Sequence, residues 1–294
     1  MPSPELQTIL DMFTTMNPLG GGSIEAIRAG MGQAPPYPQP PDVQWEAVDA
    51  GGVPAEWNTP DDAEPGRSIV YLHGGGYAIG GIESHRGLCS NLARACRARV
   101  LSVGYRLAPE HPYPAALEDA LAAYRWLVAG GADPAKTAIG GDSAGGGLTL
   151  GTLVALRDAG EGLPGAGICL SPWVDLSMKD PAIESLAERD PMLSRPVLEM
   201  FRDAYLNGGD PTAPTASPLH AKLEGLPPLL IQVGRAEVLL GEVEDFAQRA
   251  RAAGVDVSLE AWDDMIHVWQ TFADMLPEGR EAIGDIGKYV AARL

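Results

Sequence analysis

Hydrophobic and polar positions follow two different periods along this chain, and the change comes near residue 43. Close to the N-terminus, apolar residues recur at the spacing of one helix face, at Leu6, Ile9, Leu10 and Phe13. This spacing predicts an amphipathic helix over residues 4–16.

Two further features complete the N-terminal segment. Ser23 can serve as an N-cap, which predicts a second, short helix over 24–31. The stretch QAPPYPQPPD, residues 33–42, is too rich in proline for a helix or a central strand and predicts a stiff linker. We therefore expect residues 1–42 to form a helical cap segment and a linker.

Beyond residue 42, short apolar runs alternate with helical periods. Gly51 and Gly52 join two stretches, VQWEAVDA and VPAEWNT, in the manner of a β-hairpin. The apolar runs predict strands at 68–74, 99–105, 137–142, 167–172, 227–234 and 257–262. The helical periods predict helices at 84–97, 115–129, 144–159, 240–253 and 278–293. This alternation predicts an α/β fold whose mostly parallel sheet carries helices on both faces.

One interval, residues 175–224, breaks the alternation. It contains no convincing strand and one predicted helix, at 195–206. Because an insertion of this length between two strands is rarely a plain loop, we predict that it forms a cap. The core is then divided into residues 43–174 and 225–294.

Composition excludes several classes of function. The formal net charge of -18, without a run of Lys or Arg, argues against a nucleic-acid partner. The chain has no basic leader followed by an apolar stretch, and no segment reaches the roughly 18 apolar residues of a membrane span, so we expect a cytoplasmic protein. The three cysteines, Cys89, Cys96 and Cys169, do not form a disulfide pattern and are expected to be small buried side chains.

Candidate chemistry collects where predicted strands end. The stretch GGDSAGGG, at a strand-to-helix turn, places Ser143 between Gly141 and Gly145 in a G-x-S-x-G pattern. A nucleophilic serine needs such a tight turn with small neighbours, and the amide of Ala144 then lies beside its oxygen. A phosphate-binding turn is the alternative, but no G-x-G-x-x-G or P-loop lysine accompanies the glycines.

A second glycine loop and one histidine add to this picture. His73-Gly74-Gly75-Gly76-Tyr77 ends the first long strand, and its exposed amides could bind a developing oxyanion. A serine also needs a base. Of the five histidines, only His267 follows the last strand through a short loop to the carboxyl edge of the sheet, whereas His73 is interpreted as structural and His85 opens a helix.

These motifs together resemble the hormone-sensitive-lipase family of α/β-hydrolases, the bacterial esterases with H-G-G-G and G-D-S-A-G sequences. The matching segments occur in the family's order: HGGGY, YRLAPEHPYPAALED, GGDSAGG, SPWVDL, LPPLLIQVG and MIHVW. The resemblance implies an eight-stranded α/β-hydrolase sheet, a helical cap, no cofactor or metal, and hydrolysis of short-to-medium acyl esters. It implies roles for Ser143 as nucleophile, His267 as base, and Gly75, Gly76 and Ala144 as oxyanion-hole donors.

The acid of the triad is where the chain departs from the family. The family often has G-x-x-D-x-L after the penultimate strand, and the corresponding residues, 234–239, read GRAEVL, with Glu237 in the aspartate position. The fold accepts either acid. Asp263 and Asp264, closer to the histidine in sequence, are the alternatives. The carboxylates that follow Glu237 are interpreted as a solvated helix face: Glu242, Glu244 and Asp245.

Several expectations remain open at this point. Tyr77 and Trp173, with apolar residues of the cap, are expected to shape the acyl pocket. The substrate is expected to be a small-molecule ester, although a lactone, an acetylated carbohydrate or a long-chain lipid would suit the same residues. A non-catalytic small-molecule receptor is the alternative from another class, and a homodimer is a further possibility.

Overall fold

A single mixed sheet forms the centre of the computed structural model, which describes residues 2–16, 19, 22–33 and 37–294. Within that part of the chain the strands are β1 (Val43–Asp49), β2 (Pro54–Pro60), β3 (Ser68–Leu72), β4 (Arg99–Val103), β5 (Thr137–Asp142), β6 (Ala166–Leu170), β7 (Leu229–Gly234) and β8 (Val257–Trp262). They lie in the order β1-β2-β4-β3-β5-β6-β7-β8.

The helices alternate with the strands from β3 onward. The two that precede the sheet are α1 (Pro4–Met16) and α2 (Ile24–Met31). Those that follow are α3 (Ile82–Cys96), α4 (Ala115–Ala129), α5 (Ala144–Asp158), α6 (Ala182–Ser185), α7 (Arg195–Leu206), α8 (Leu240–Ala252) and α9 (Pro277–Arg293). None of the described helices is both long and apolar enough to cross a membrane.

Strand direction follows the predicted pattern. β1 pairs with β2, and β2 with β4, in antiparallel register, whereas every pair from β4 through β8 is parallel. The β1–β2 hairpin turns through Gly51 and Gly52, whose φ angles of 74° and 90° suit glycine. The predicted α/β-hydrolase fold, with an eight-stranded and mostly parallel sheet, is confirmed.

The sheet separates two apolar layers because its central strands are buried on both faces. In β3, Val70 and Leu72 face a layer shared with α4, α5 and α8, whereas Ile69 and Tyr71 face a layer shared with α3 and α9. Side chains of successive strand residues point to opposite faces, so a run such as SIVYL can be apolar throughout. The helices packed on both faces of the sheet therefore fix the positions of its strand ends.

The N-terminal helices and the segment between β6 and β7 cover the carboxyl edge of the sheet. In α1, Leu6 and Ile9 pack against Met265 and Ile266, beside the loop after β8. In α2, Arg28 donates to the carbonyl oxygen of Ala78 at 2.7 Å. The segment between β6 and β7 supplies α6 and α7. The division of the chain into core and cap remains a prediction, and residues 34–36 of the predicted linker lie outside the described residues.

Most predicted boundaries differ from the structure by no more than two residues. The predicted strands 68–74 and 99–105 end two residues earlier, at Leu72 and Val103. The reason is that their last residues leave the sheet to form the loops at its carboxyl edge. The short helix α6 was missed, because its four residues are too few to show a helical period.

Candidate active site

Ser143 lies in a sharp turn between β5 and α5. Its φ and ψ of 53° and -123° are unfavourable for a non-glycine residue, and its amide donates to the carbonyl oxygen of Leu170 at 2.8 Å. A Cβ atom at either flanking glycine, Gly141 or Gly145, would collide with the carbonyl oxygen of Leu72. The glycines of the pattern are therefore required for the strand and helix to approach each other at this turn.

His267 reaches this serine from the loop after β8. Its Nε2 atom lies 2.8 Å from Ser143 Oγ, although 124 residues separate the two in sequence. The next residue, Val268, has a φ of 49°, and its amide donates to Ser171 Oγ at 3.2 Å. The loop is thus held at His267 by Ser143 and at Val268 by Ser171.

Glu237 contacts the other nitrogen of the imidazole. Its Oε2 atom lies 2.8 Å from His267 Nδ1, and its Oε1 atom accepts hydrogen bonds from Ser171 Oγ at 2.7 Å and from the amide of Gly234. The carboxylate is fully buried. Since a carboxylate can only accept, the proton of the neutral imidazole lies on Nδ1, and Nε2 is free to accept from Ser143.

Electrostatics favour a charged imidazole at this position. Burial lowers the pKa of His267, but the hydrogen bond to Glu237 and its negative charge raise it more, so the pKa lies above its ordinary value. The buried Asp190 adds to the same effect. His267 can therefore accept a proton and hold it.

The two alternative acids, Asp263 and Asp264, have surroundings that differ from those of Glu237. Asp263 is 90% exposed and forms an ion pair with Arg235 at 3.0 Å. Asp264 lies in the turn with a φ of 62°. Because the Nδ1 atom of His267 has one proton to donate, its contact with Glu237 identifies the carboxylate that serves the imidazole in this structure.

The interpretation of Glu242 as part of a solvated helix face was wrong. Its side chain is fully buried, and Oε1 accepts from the amides of Val174 and Asp175 at 2.7 and 3.1 Å. The helix α8 turns this position toward the loop after β6. Glu244 and Asp245 do lie toward the surface, where they pair with Arg235 and Arg249.

The glycine loop after β3 lies beside Ser143. Gly75 and Gly76 have φ angles of 112° and 58°, and the Gly75 carbonyl oxygen accepts from the amides of Ala78 and Ile79 at 3.0 and 2.9 Å. Among the described residues, the amides of Gly75 and Gly76 donate to no backbone carbonyl. Ala144, the first residue of α5, has an amide outside the helical ladder, so all three have donors to offer.

A cavity of about 250 Å³ lies over these groups and includes Ser143 and His267 in its lining. Its outer wall comes from α2 and from the segment between β6 and β7, through Ile27, Met31, Met192, Leu193, Leu198 and Phe201. Trp173 also lines it. Tyr77 does not, because its ring is stacked on that of Tyr205 at 3.7 Å and lies behind the wall.

Comparison with known proteins agrees with this geometry. Residues 69–271 match the model of a family described as having the alpha/beta hydrolase fold. The chain belongs to this α/β-hydrolase family. An acetyl-hydrolase of Streptomyces hygroscopicus is 42% identical over 294 aligned positions, with coverage of 99% of this chain and 97% of that relative.

Solved structures identify the group of α/β-hydrolases that this chain resembles. An esterase from the bacterial hormone-sensitive lipase family is 46% identical, with a TM-score of 0.95 and coverage of 100% of this chain and 99% of the other. A structure of EstE5 soaked with p-nitrophenyl butyrate is 43% identical, with a TM-score of 0.95 and coverage of 99% of both chains. The predicted membership of the bacterial hormone-sensitive-lipase family is confirmed.

Sequence reasoning missed two polar residues that support the hydrogen-bonded chain of Ser143, His267 and Glu237. Ser171 joins Glu237 to the loop that carries His267. Asp190, in the segment between β6 and β7, accepts from the amides of Met192 and Leu193 and, through its other oxygen, from Val238. Neither residue lies in a motif with a known chemical role, so only their long-range contacts identify them.

Proposed function

We propose that this carboxylic ester hydrolase cleaves short-to-medium acyl esters with Ser143 as nucleophile, His267 as general base and Glu237 as the acid that orients the base. The observation that supports the proposal most is the unbroken chain of hydrogen bonds, 2.8 Å from Ser143 Oγ to His267 Nε2 and 2.8 Å from His267 Nδ1 to Glu237 Oε2. Such a chain is the arrangement that activates a serine hydroxyl.

In the first half of the reaction, Ser143 Oγ forms a bond to the ester carbonyl carbon while its proton passes to His267 Nε2. The carbonyl oxygen becomes an oxyanion, which receives hydrogen bonds from the amides of Gly75, Gly76 and Ala144. The carbon–oxygen bond to the alcohol then breaks. The departing oxygen takes the proton from His267, and the acyl group stays on the serine.

The second half of the reaction returns the enzyme to its starting state. A water molecule gives a proton to His267 Nε2 and attacks the acyl carbon, and the same three amides stabilise the second oxyanion. The bond to Ser143 Oγ breaks, the proton returns to that oxygen, and a carboxylic acid leaves. Glu237 stays ionised throughout and stabilises the imidazolium in both halves.

The cavity supports an acyl group of limited size. The side chains around the serine are mainly apolar, and the volume of about 250 Å³ is small for a ligand site. The relatives agree, since one is named an acetyl-hydrolase and EstE5 was soaked with a butyrate ester. We infer that acetyl to medium-length acyl esters are the substrates.

Replacing Ser143 with alanine tests the proposal. The variant should lose hydrolysis of p-nitrophenyl butyrate and labelling by a fluorophosphonate, with an unchanged circular dichroism spectrum. Ser185→Ala, at an exposed position in α6, is the matched control and should keep both. Undiminished turnover by Ser143→Ala would overturn the assignment, and a wild-type protein without either property would indicate a receptor.

A panel of substrates tests the acyl preference separately. It comprises p-nitrophenyl esters from acetate to palmitate, a set of lactones and an acetylated sugar. We expect kcat/KM to peak at or below medium chain lengths and to fall for palmitate. A peak at palmitate, or turnover of lactones or acetylated sugars well above that of simple esters, would replace the proposed substrate class.

A further inference from the structure

A second carboxylate–imidazole pair lies directly behind the oxyanion loop. Asp142, the residue before Ser143, is buried, and its Oδ1 atom accepts hydrogen bonds from Tyr71 OH at 2.8 Å and from the amide of Gly74 at 3.0 Å. His85 Nε2 lies 3.4 Å from the same oxygen. Asp142 therefore links the nucleophile turn to the loop that carries the proposed oxyanion donors.

Both ring nitrogens of His85 face acceptors. Nε2 faces the Asp142 carboxylate, and Nδ1 lies 2.9 Å from Ser84 Oγ and 3.3 Å from the carbonyl oxygen of Gly81. The Ser84 hydroxyl donates to that same carbonyl and accepts from the Gly81 amide at 3.0 Å, which leaves one lone pair to accept from His85. An imidazole placed between two acceptors satisfies both only when each nitrogen carries a proton, so this arrangement favours a cationic His85.

The other groups around His85 are compatible with this charge. The ring of His73 lies 5.3 Å away, but burial lowers the pKa of His73 to about 3, which keeps it neutral. The Tyr71 ring lies 6.5 Å away. Burial lowers the pKa of His85, but the charge of Asp142 raises it more, so it lies above its ordinary value. Burial raises the pKa of Asp142, but His85 lowers it more, so it lies below its ordinary value.

The sign of these charges matters to the reaction. An isolated carboxylate beside Ser143 would oppose the negative charge that develops on the substrate oxygen, most strongly where water is excluded. A protonated His85 cancels it. His85 and Asp142 line the same cavity as Ser143, so their charges lie close to the reacting atoms.

We propose that Asp142 and His85 are positioning residues for ester hydrolysis: Asp142 fixes the amide of Gly74 and with it the oxyanion loop, and His85 cancels the negative charge of Asp142. This inference rests on the proposed function, because it assigns a task to residues that support the same site. The proposed role of the two residues differs from a purely structural one, since it requires their charges to balance during turnover.

Three variants separate charge balance from packing. His85→Gln retains a donor but removes the cation, and we expect kcat for p-nitrophenyl butyrate to fall about 10- to 100-fold, less than loss of a whole oxyanion donor. KM should change less than about threefold, because the charge acts mainly on the transition state. In the double variant with Asp142→Asn, the amide oxygen still accepts from Gly74 and Tyr71, and kcat should recover at least about fivefold relative to His85→Gln.

A reversible inhibitor reports on the oxyanion itself. A trifluoromethyl ketone forms an oxyanion with the serine, so its Ki should rise in His85→Gln by the same factor as kcat/KM falls. His220→Gln is the matched control. His220 also pairs with an aspartate, since its Nε2 atom lies 2.9 Å from Asp175 Oδ1, but it does not contact the oxyanion loop. That variant should keep the wild-type kcat and Ki.

Nitrogen NMR of the histidine rings of the wild-type protein provides a test that needs no variant to fold. His85 should show two protonated nitrogens at pH 7.5, whereas His73 should be neutral. A neutral His85, a His85→Gln variant within twofold of wild type, or a double variant no better than His85→Gln would each overturn the inference. Absence of hydrolysis and of fluorophosphonate labelling in the wild type would instead overturn the proposed function.

Discussion

Replacing Glu237 with glutamine tests which carboxylate serves the imidazole. The change preserves the size of the side chain but puts an NH2 group in place of one oxygen. Because Oε1 accepts from Ser171 Oγ and from the amide of Gly234, the amide oxygen of glutamine must occupy that position. The NH2 group then faces His267 Nδ1, which is also a donor in the active tautomer.

Two facing donors force the imidazole to move its proton to Nε2. In that tautomer Nε2 donates to Ser143 and can no longer take its proton. An equivalent change in a serine protease lowers kcat about 10⁴-fold. Since each factor of ten in rate is about 1.36 kcal/mol, the expected loss of about 10³- to 10⁴-fold is about 4 to 5.5 kcal/mol of transition-state stabilisation.

The assay is steady-state hydrolysis of p-nitrophenyl butyrate, with KM expected within about threefold of wild type because Glu237 does not line the cavity. Glu244→Gln, at an exposed position in α8, the helix that follows Glu237, is the matched control and should keep the wild-type rate. A fall of only a few-fold in Glu237→Gln, with Asp263→Asn or Asp264→Asn costing far more, would refute the reasoning and transfer the role to the histidine loop.

Three further predictions concern pH, the acyl pocket and stability. Glu237 raises the pKa of His267, and the base must be neutral to act, so kcat/KM should fall at acid pH with a midpoint above pH 6.5. The residual activity of Glu237→Gln should fall with a lower midpoint, and identical midpoints would contradict this. Phe201→Ala should enlarge the cavity and raise the kcat/KM ratio of decanoate to butyrate esters about tenfold or more; an unchanged ratio would place the acyl chain elsewhere. Glu242→Ala should lower the free energy of urea unfolding by about 2–4 kcal/mol, whereas Glu242→Gln, which keeps the acceptor for Val174, should cost about 1 kcal/mol or less; equal losses would contradict that role.

The fold could be predicted from sequence because its signals are local and periodic. The helices over 4–16, 24–31, 115–129 and 195–206 and the strand over 257–262 have the predicted bounds. Apolar periods report burial directly, and the glycines of the hairpin report a backbone that other residues avoid. The predicted strands at the carboxyl edge were too long, because residues leaving the sheet there can be as apolar as those within it.

The site was harder to predict because its contacts join distant parts of the chain. The G-x-S-x-G motif, together with the position of His267 after the last strand, predicted that Ser143 and His267 would meet, as they do. Position in the fold could not separate Tyr77 from Trp173 as pocket residues, since both follow strand ends and only the stacking on Tyr205 turns one of them away. Glu242 shows the same limit, because a carboxylate at a helical position has no sequence signal that distinguishes a buried acceptor of backbone amides from a solvated side chain.

The geometry also explains how a glutamate can occupy a position where the family often has aspartate. The amide of Glu237 lies 3.3 Å from the carbonyl oxygen of Gly234, so the chain turns back on itself between them, and the carboxylate in turn accepts from the Gly234 amide. The longer side chain therefore bends over its own turn through Oε1, while Oε2 reaches His267 Nδ1 at 2.8 Å. A Cβ atom at residue 234 would lie 2.9 Å from Glu237 Oε1 and would collide with the carbonyl oxygen of Met265. The glycine at residue 234 thus leaves space for both the Met265 carbonyl and the Glu237 carboxylate, so the identities of the acid and of residue 234 must be considered together.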